Sequence, residues 1–199
     1  MDTSTRALEL VRSLRERERF NKIDYYDPYP YQRKFHKTGS EANQRLLMAA
    51  NRIGKSFSGA SEMSFHLTGL YPDWWEGRKF TQPITAWAGG VSNETTRDIV
   101  QYELLGSPDD PAAFGSGTVP RNKIIKTERK PGVPNAKSVA LIQHVTGGNS
   151  SLFFKAYEMG VDKWQGRSVD VVWLDEEPSR ELYSQAVTRT LDRKGMVYM

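Results

Sequence analysis

Gly54, Lys55 and Ser56 stand together after an apolar run, Leu46-Leu47-Met48-Ala49-Ala50, and a polar pair, Asn51-Arg52. A loop of the form GxxxxGK[ST] aims successive backbone N–H groups at phosphate oxygens, sets a Lys ammonium on the outer phosphates and puts a hydroxyl on Mg²⁺. Here the loop reads Ala49, Ala50, Asn51, Arg52, Ile53, Gly54, Lys55, Ser56, with Ala49 where the pattern has its first Gly. The helix expected after Ser56 adds its positive N-terminal end. Further on, the strand read over Val169-Asp170-Val171-Val172-Trp173-Leu174 ends abruptly in three acids, Asp175, Glu176 and Glu177. Like charges gathered at a strand end are costly unless a cation joins them. That chemistry suits Asp175 holding Mg²⁺ through water beside Ser56, and Glu176 orienting and deprotonating an attacking water. Upstream, the Gln32 amide offers the donor and acceptor that match the N6 and N7 edge of adenine, and neighbouring Tyr31 can stack on a base. The alternative for this Tyr/Pro-rich stretch is a clasp packed against the first strand.

These groups act together only if the chain brings them to one place. Residues 45–50 read as a short buried strand feeding the loop, and Phe57, Ala60, Met63, Phe65 and Leu67 as the helix after it, stopped by Gly69 and Pro72. Trp74 and Trp75 read as core plugs, residues 83–90 as a second buried strand, and Ser92 or Asn93 as the cap of a helix reaching about Leu105. Residues 106–117, rich in Gly, Pro, Ser and Asp, argue for a long irregular loop. A hairpin is expected from strands over 139–145 and 151–157 joined at Gly147-Gly148-Asn149. Pro178 and Ser179 start a last helix, ended by Arg193, Lys194 and Gly195, before a strand at Met196. Strands alternating with helices predict an α/β domain over residues 25–199, preceded by a charged amphipathic helix within residues 1–24 that docks on the domain or on a partner.

Charge is uneven. The 199 residues carry a net +4, yet Arg121, Lys123, Lys126, Arg129, Lys130 and Lys137 face one acid, Glu128. Such a stretch suits a nucleic-acid backbone held through phosphate contacts, or else a solvated basic loop. With no cysteine and three scattered histidines, disulfide scaffolds and thiolate zinc sites are excluded. No apolar run reaches the roughly 18 residues of a membrane span, so no membrane role is expected.

Taken together, these motifs resemble the ATPase domain of the large terminase subunit of tailed double-stranded DNA bacteriophages, the motor that packages the genome into the capsid. The resemblance runs from Tyr29-Pro30-Tyr31-Gln32 to the last residue. Its most specific parts are residues 50–56, Trp164-Gln165-Gly166 followed by Val169-Asp170, and Val172-Trp173-Leu174-Asp175-Glu176-Glu177-Pro178. It implies a P-loop fold with a central, mostly parallel sheet flanked by helices, ATP and Mg²⁺ as ligands, and Glu176, directly after the Mg²⁺-associated Asp175, as the catalytic base in place of Glu177. It also implies double-stranded DNA, the portal protein and the small terminase subunit as partners, self-association as a ring around DNA, and a place in the host cytoplasm at the procapsid portal. Arg121, Lys123, Lys126, Arg129 and Lys130 are the candidate DNA contacts.

Many relatives place an Arg four residues before the loop Lys, where this chain has Asn51. Arg52 sits one place later, with the γ-phosphate and a neighbouring subunit both open as its contact. The family continues with a Ser/Thr coupling motif and an RNase H-like nuclease domain. The chain is expected to end before both, so DNA cleavage belongs to the family and not to these residues. A helicase or recombination ATPase, and a nucleotide-binding assembly module that does not hydrolyse, are the rival readings.

Overall fold

Val171–Leu174 is apolar at four successive positions, which suits a strand buried on both faces between parallel neighbours. It takes that place. The computed structural model describes residues 3–50 and 52–199. Its strands are β1 (Gln44–Arg45), β2 (Thr85–Gly90), β3 (Ile124–Arg129), β4 (Lys137–Gln143), β5 (Asn149–Ala156), β6 (Val171–Leu174) and β7 (Met196–Tyr198). They form one seven-stranded sheet in the order β1-β7-β6-β2-β5-β4-β3. Pairing is parallel from β1 through β5 and antiparallel for β5 with β4 and β4 with β3. The expected fold class, α/β with a mostly parallel sheet flanked by helices, is what forms.

Helices cover both faces. On one, Ala60, Met63 and Leu67 of α3 (Lys55–Thr68) pack with Ala86, Ala88, Val171 and Trp173. On the other, Leu182 and Ala186 of α6 (Arg180–Leu191) pack with Trp87, Val172, Leu174 and Val197. Alternate residues of β6 thus anchor two layers, and each fully buried aliphatic side chain contributes about 1.5–3 kcal/mol. Gly59 sets how closely α3 approaches β6, because a Cβ there would lie 2.7 Å from Trp173 Nε1. The contact brings the start of α3 against the end of β6.

The hairpin, the last helix and the closing strand form where expected, and Ser179 caps α6 by accepting the Leu182 N–H. Ser92 caps the middle helix, which runs through α4 (Asn93–Thr95), a π-helical Thr96–Gln101 and α5 (Tyr102–Leu105). Trp75 is buried and, with Trp74, packs against Phe65 of α3. Upstream lie α1 (Thr3–Phe20) and α2 (Pro30–Lys37).

Three expectations change. The strand before the loop is two residues long instead of covering 45–50, and Leu46 and Met48 are exposed. It lies at the sheet edge with β7 as its one neighbour, so after the Leu47 N–H bonds the Met199 carbonyl at 2.8 Å the chain leaves for the loop. The basic stretch is not a loop, since much of it forms β3 at the opposite edge. Charged residues on an edge strand also block edge-to-edge association. Third, α1 forms, but Leu10, Val11 and Leu14 of its apolar stripe stay exposed and do not dock on the domain, which its end meets through Phe20 under the Arg121 guanidinium at 4.6 Å and through Arg19 on the Ala112 carbonyl at 3.4 Å. No helix among the described residues is long and apolar enough to cross a membrane.

Candidate nucleotide site

The strand order puts the ends of β1 and β6 on either side of β7, so the loop after β1 meets the acids after β6. In parallel α/β sheets, ligands bind in this crevice beyond the carboxyl ends of the strands. A cavity of about 590 Å³ opens here, lined on its polar side by Lys55, Ser56, Asp175, Glu176 and Glu177.

Gly54 carries the turn with φ +81°, where glycine is unstrained, and α3 begins at Lys55. The first N–H groups of that helix lack intrahelical partners, and Lys55 and Ser56, which carry two of them, line the cavity. The Lys55 ammonium donates to the Ala49 carbonyl at 2.8 Å. Ser56 Oγ donates to Asp175 Oδ1 at 2.9 Å, so residues 119 apart in sequence meet. Burial holds the Asp175 carboxyl above its ordinary range and the charge of Glu176 adds to this, while the Ser56 hydrogen bond and Lys55 oppose it. A hard cation would relieve that like-charge strain. Among the described residues no three His, Cys, Asp or Glu side chains gather to hold a metal by themselves. The donor set nevertheless fits Mg²⁺ brought in with phosphates, which takes one or two protein oxygen ligands and completes its shell elsewhere.

Backbone strain concentrates here. Of the four non-glycine residues with positive φ among those described, Arg52 (φ 63°) and Glu176 (φ 76°) belong to this site. Each left-handed residue costs about 1–3 kcal/mol and persists where its surroundings impose it. Arg52 is exposed on the loop, and Glu176 is exposed beside the cavity. The Glu176 turn is braced from below: the Tyr157 hydroxyl lies 3.0 Å from the Asp175 carbonyl, 2.9 Å from that of Glu176 and 3.3 Å from that of Gly89. Sequence reasoning passed over Tyr157, whose place shows only once β5 is in register beside β2 and β2 beside β6.

Ala49, Lys55, Ser56, Asp175 and Glu176 therefore come together around one cavity. Asn51 lies outside the described residues. Gln32 and Tyr31 sit behind the loop and do not line the cavity. Gln32 is buried, its Oε1 accepting the Tyr29 N–H at 2.9 Å and its Nε2 donating to the Gly54 carbonyl at 3.1 Å. Tyr31 donates to the Ile53 carbonyl at 2.6 Å and stacks on Tyr29 at 5.8 Å. Both side chains thus brace Ile53 and Gly54 from α2, a duty the sequence reading did not assign. The basic residues spread along and beside β3 are not five free cations, since Arg121 covers Phe20, Lys126 pairs with Glu128 at 3.2 Å and Lys130 is half-buried.

The family model described as terminase large subunit, T4likevirus-type, N-terminal, matches residues 46–198. The chain belongs to the terminase large subunit family. The match takes in both the phosphate-type loop of this terminase chain and its acidic strand end. It is 36% identical over 203 residues to the large terminase subunit of Salmonella phage P22, covering 92% of this chain and 41% of that protein, so it spans about two fifths of its relative. The crystal structure of the HK97 bacteriophage large terminase matches with a TM-score of 0.55 at 15% identity, over 87% of this chain and 32% of that one. The large terminase of a thermophilic bacteriophage, solved in complex with ADP, matches with a TM-score of 0.55 at 12% identity, over 85% of this chain and 38% of that one. At such identities the two structures share the terminase chain's fold.

Proposed function

We propose that this chain is the ATP-hydrolysing motor domain of a phage terminase large subunit, using ATP to move double-stranded DNA into the capsid. The observation that carries the reading is the 2.9 Å bond joining Ser56 at the start of α3 to Asp175 at the end of β6, with Lys55 and Glu176 flanking it on one cavity. Lys55 leaves the Ala49 carbonyl to hold the outer phosphates, together with the N–H groups of the loop, including those of Ala50, Asn51, Arg52 and Ile53. Ser56, and Asp175 through water, would hold Mg²⁺, which when bound would neutralise phosphate charge. Glu176 would orient a water in line with the terminal phosphate and take its proton, with Asp175, a residue earlier, reserved for the cation. Arg52 is the loop's exposed cation, suited to the γ-phosphate or to a neighbouring subunit's charge. Tyr31, stacked on Tyr29, offers a face to the base, and Gln32 reads adenine if its amide turns from Gly54.

The partners that follow are double-stranded DNA, the portal protein, the small terminase subunit and further copies of the chain in a ring, at the procapsid portal in the host cytoplasm. Phosphate release with Mg²⁺ and ATP tests the reading. We expect steady turnover that duplex DNA stimulates more than single strands do; stimulation by single strands alone would favour a helicase. Neutralising Arg121, Lys123, Lys126, Arg129 and Lys130 should weaken duplex binding and flatten its dependence on salt, by close to one unit of log-log slope for each DNA phosphate left without its cation. Unchanged affinity and slope would make β3 a solvated edge.

A further inference from the structure

We infer that Tyr157 is a positioning residue for hydrolysis: its hydroxyl, poised between the backbone carbonyls of Asp175 and Glu176, holds the turn at Glu176 and so aims the Glu176 carboxylate. This rests on the reading of Glu176 as the base. A single O–H donates to one oxygen at a time, and here three carbonyl oxygens, those of Gly89, Asp175 and Glu176, lie within 3.3 Å of it. Two belong to the residues that carry the chemistry, and one of these, Glu176, has a left-handed backbone that an L side chain does not favour. Releasing the clasp lets that turn relax toward ordinary φ, which carries the carboxylate away from the water it must meet.

The rest of the clasp is built to keep the hydroxyl in place. Tyr157 follows β5 directly, and its ring packs 5.9 Å from that of Trp164. Trp164 is itself fully buried, edge-on to Trp87 at 5.6 Å, with its indole N–H on the Ala156 carbonyl at 3.3 Å. Gly89 makes room for it, since a Cβ there would fall 2.7 Å from the Trp164 ring. Trp164 thus acquires a duty, to wedge the tyrosine under the acidic turn.

Tyr157→Phe keeps the ring and removes the hydroxyl. Assayed in the full chain beside Glu176→Gln, it should lower kcat about tenfold while the KM for ATP stays within about twofold, because the groups that hold phosphate are untouched. Amide hydrogen exchange at Asp175, whose N–H bonds the Gly89 carbonyl at 2.8 Å, should accelerate while exchange in β6 does not. A variant with wild-type kcat, or with unchanged exchange at that amide, overturns the clasp. A kcat that falls in equal measure with a general loss of protection across the sheet makes Tyr157 a packing residue and also overturns it. Normal turnover by Glu176→Gln instead rejects the reading of the base, and the exchange comparison then decides by itself whether the hydroxyl holds the turn.

Discussion

Replacing Glu176 by Gln should leave ATP bound and remove its turnover, by about 10³-fold in kcat with little change in nucleotide affinity. The amide keeps the size of the carboxylate but cannot accept a proton, and general-base catalysis of this kind accounts for roughly 10²–10⁴ in rate. Nucleotide affinity should survive because the groups proposed to hold phosphate lie elsewhere: Lys55, Ser56 and the N–H groups at the start of α3. Lys55→Ala should show the opposite split. There the ammonium is gone, and nucleotide affinity should fall about 100-fold, in keeping with loss of charge-assisted bonds to phosphate. Equilibrium binding of a labelled ATP and phosphate release, measured on both variants, separate the two roles. A Glu176→Gln chain that still hydrolyses would move the base elsewhere, and Glu177 would be the first place to look.

Glu62→Gln should destabilise the chain by about 3–5 kcal/mol, the cost of leaving a buried charge without its partner. Glu62 lies on α3 with no exposed surface, hydrogen-bonded to Arg45 of β1, to His36 of α2 at 2.7 Å and to His66 at 3.3 Å. Arg45 is buried between the rings of Phe35 and Tyr198, at 4.7 and 5.5 Å, and once Glu62 is neutral its guanidinium keeps the Phe35 carbonyl and the Met196 sulfur as acceptors. The cluster ties together the elements that brace the loop: β1 before it, α3 after it and α2 beside it.

Its pH dependence has a definite sign. Burial alone would raise the Glu62 carboxyl, but Arg45 and the two histidines together hold it well below its ordinary value of 4.5. A depressed carboxyl contributes stability that is present above the unfolded value and is lost as pH falls through the folded one. Burial lowers His66 from 6.5, so on acidification the unfolded chain takes up that proton first and stability falls in the same direction. Urea midpoints should therefore drop on the acid side, beginning below about pH 6.5 and steepening below about 4.5, and Glu62→Gln should lose the steepening below about 4.5. An equally steep drop in the variant would place the acid sensitivity elsewhere.

What could be read beforehand was what local chemistry dictates. Gly54-Lys55-Ser56 and the step from Leu174 to Asp175 are legible as a pair, since each alone has an ordinary reading, a strand-to-helix turn or a solvated strand end. The hairpin was legible from alternation around Gly147 and Gly148. The two-residue length of β1 was not, because Leu46 and Met48 look like strand core until the sheet order leaves them at an edge. β3 was hidden by its charges: both of its faces are half-exposed, so no alternation of apolar and polar residues marks it. The π-helical segment at Thr96–Gln101 reflects a shift in hydrogen-bond register, which residue types do not encode. Gln32 was seen as a reader of adenine by its functional groups, and the brace on Gly54 depends on where α2 packs. Tyr157 needed two strand registers to be known at once.

The most direct test is a crystal structure of the chain with Mn²⁺ in place of Mg²⁺ and a non-hydrolysable ATP analogue, the metal located by its anomalous scattering. The account predicts one metal peak beside Ser56 and Asp175, the Lys55 ammonium moved from the Ala49 carbonyl to the phosphates, and the terminal phosphate facing Glu176. A nucleotide bound away from the loop, or a metal peak distant from both Ser56 and Asp175, would contradict it.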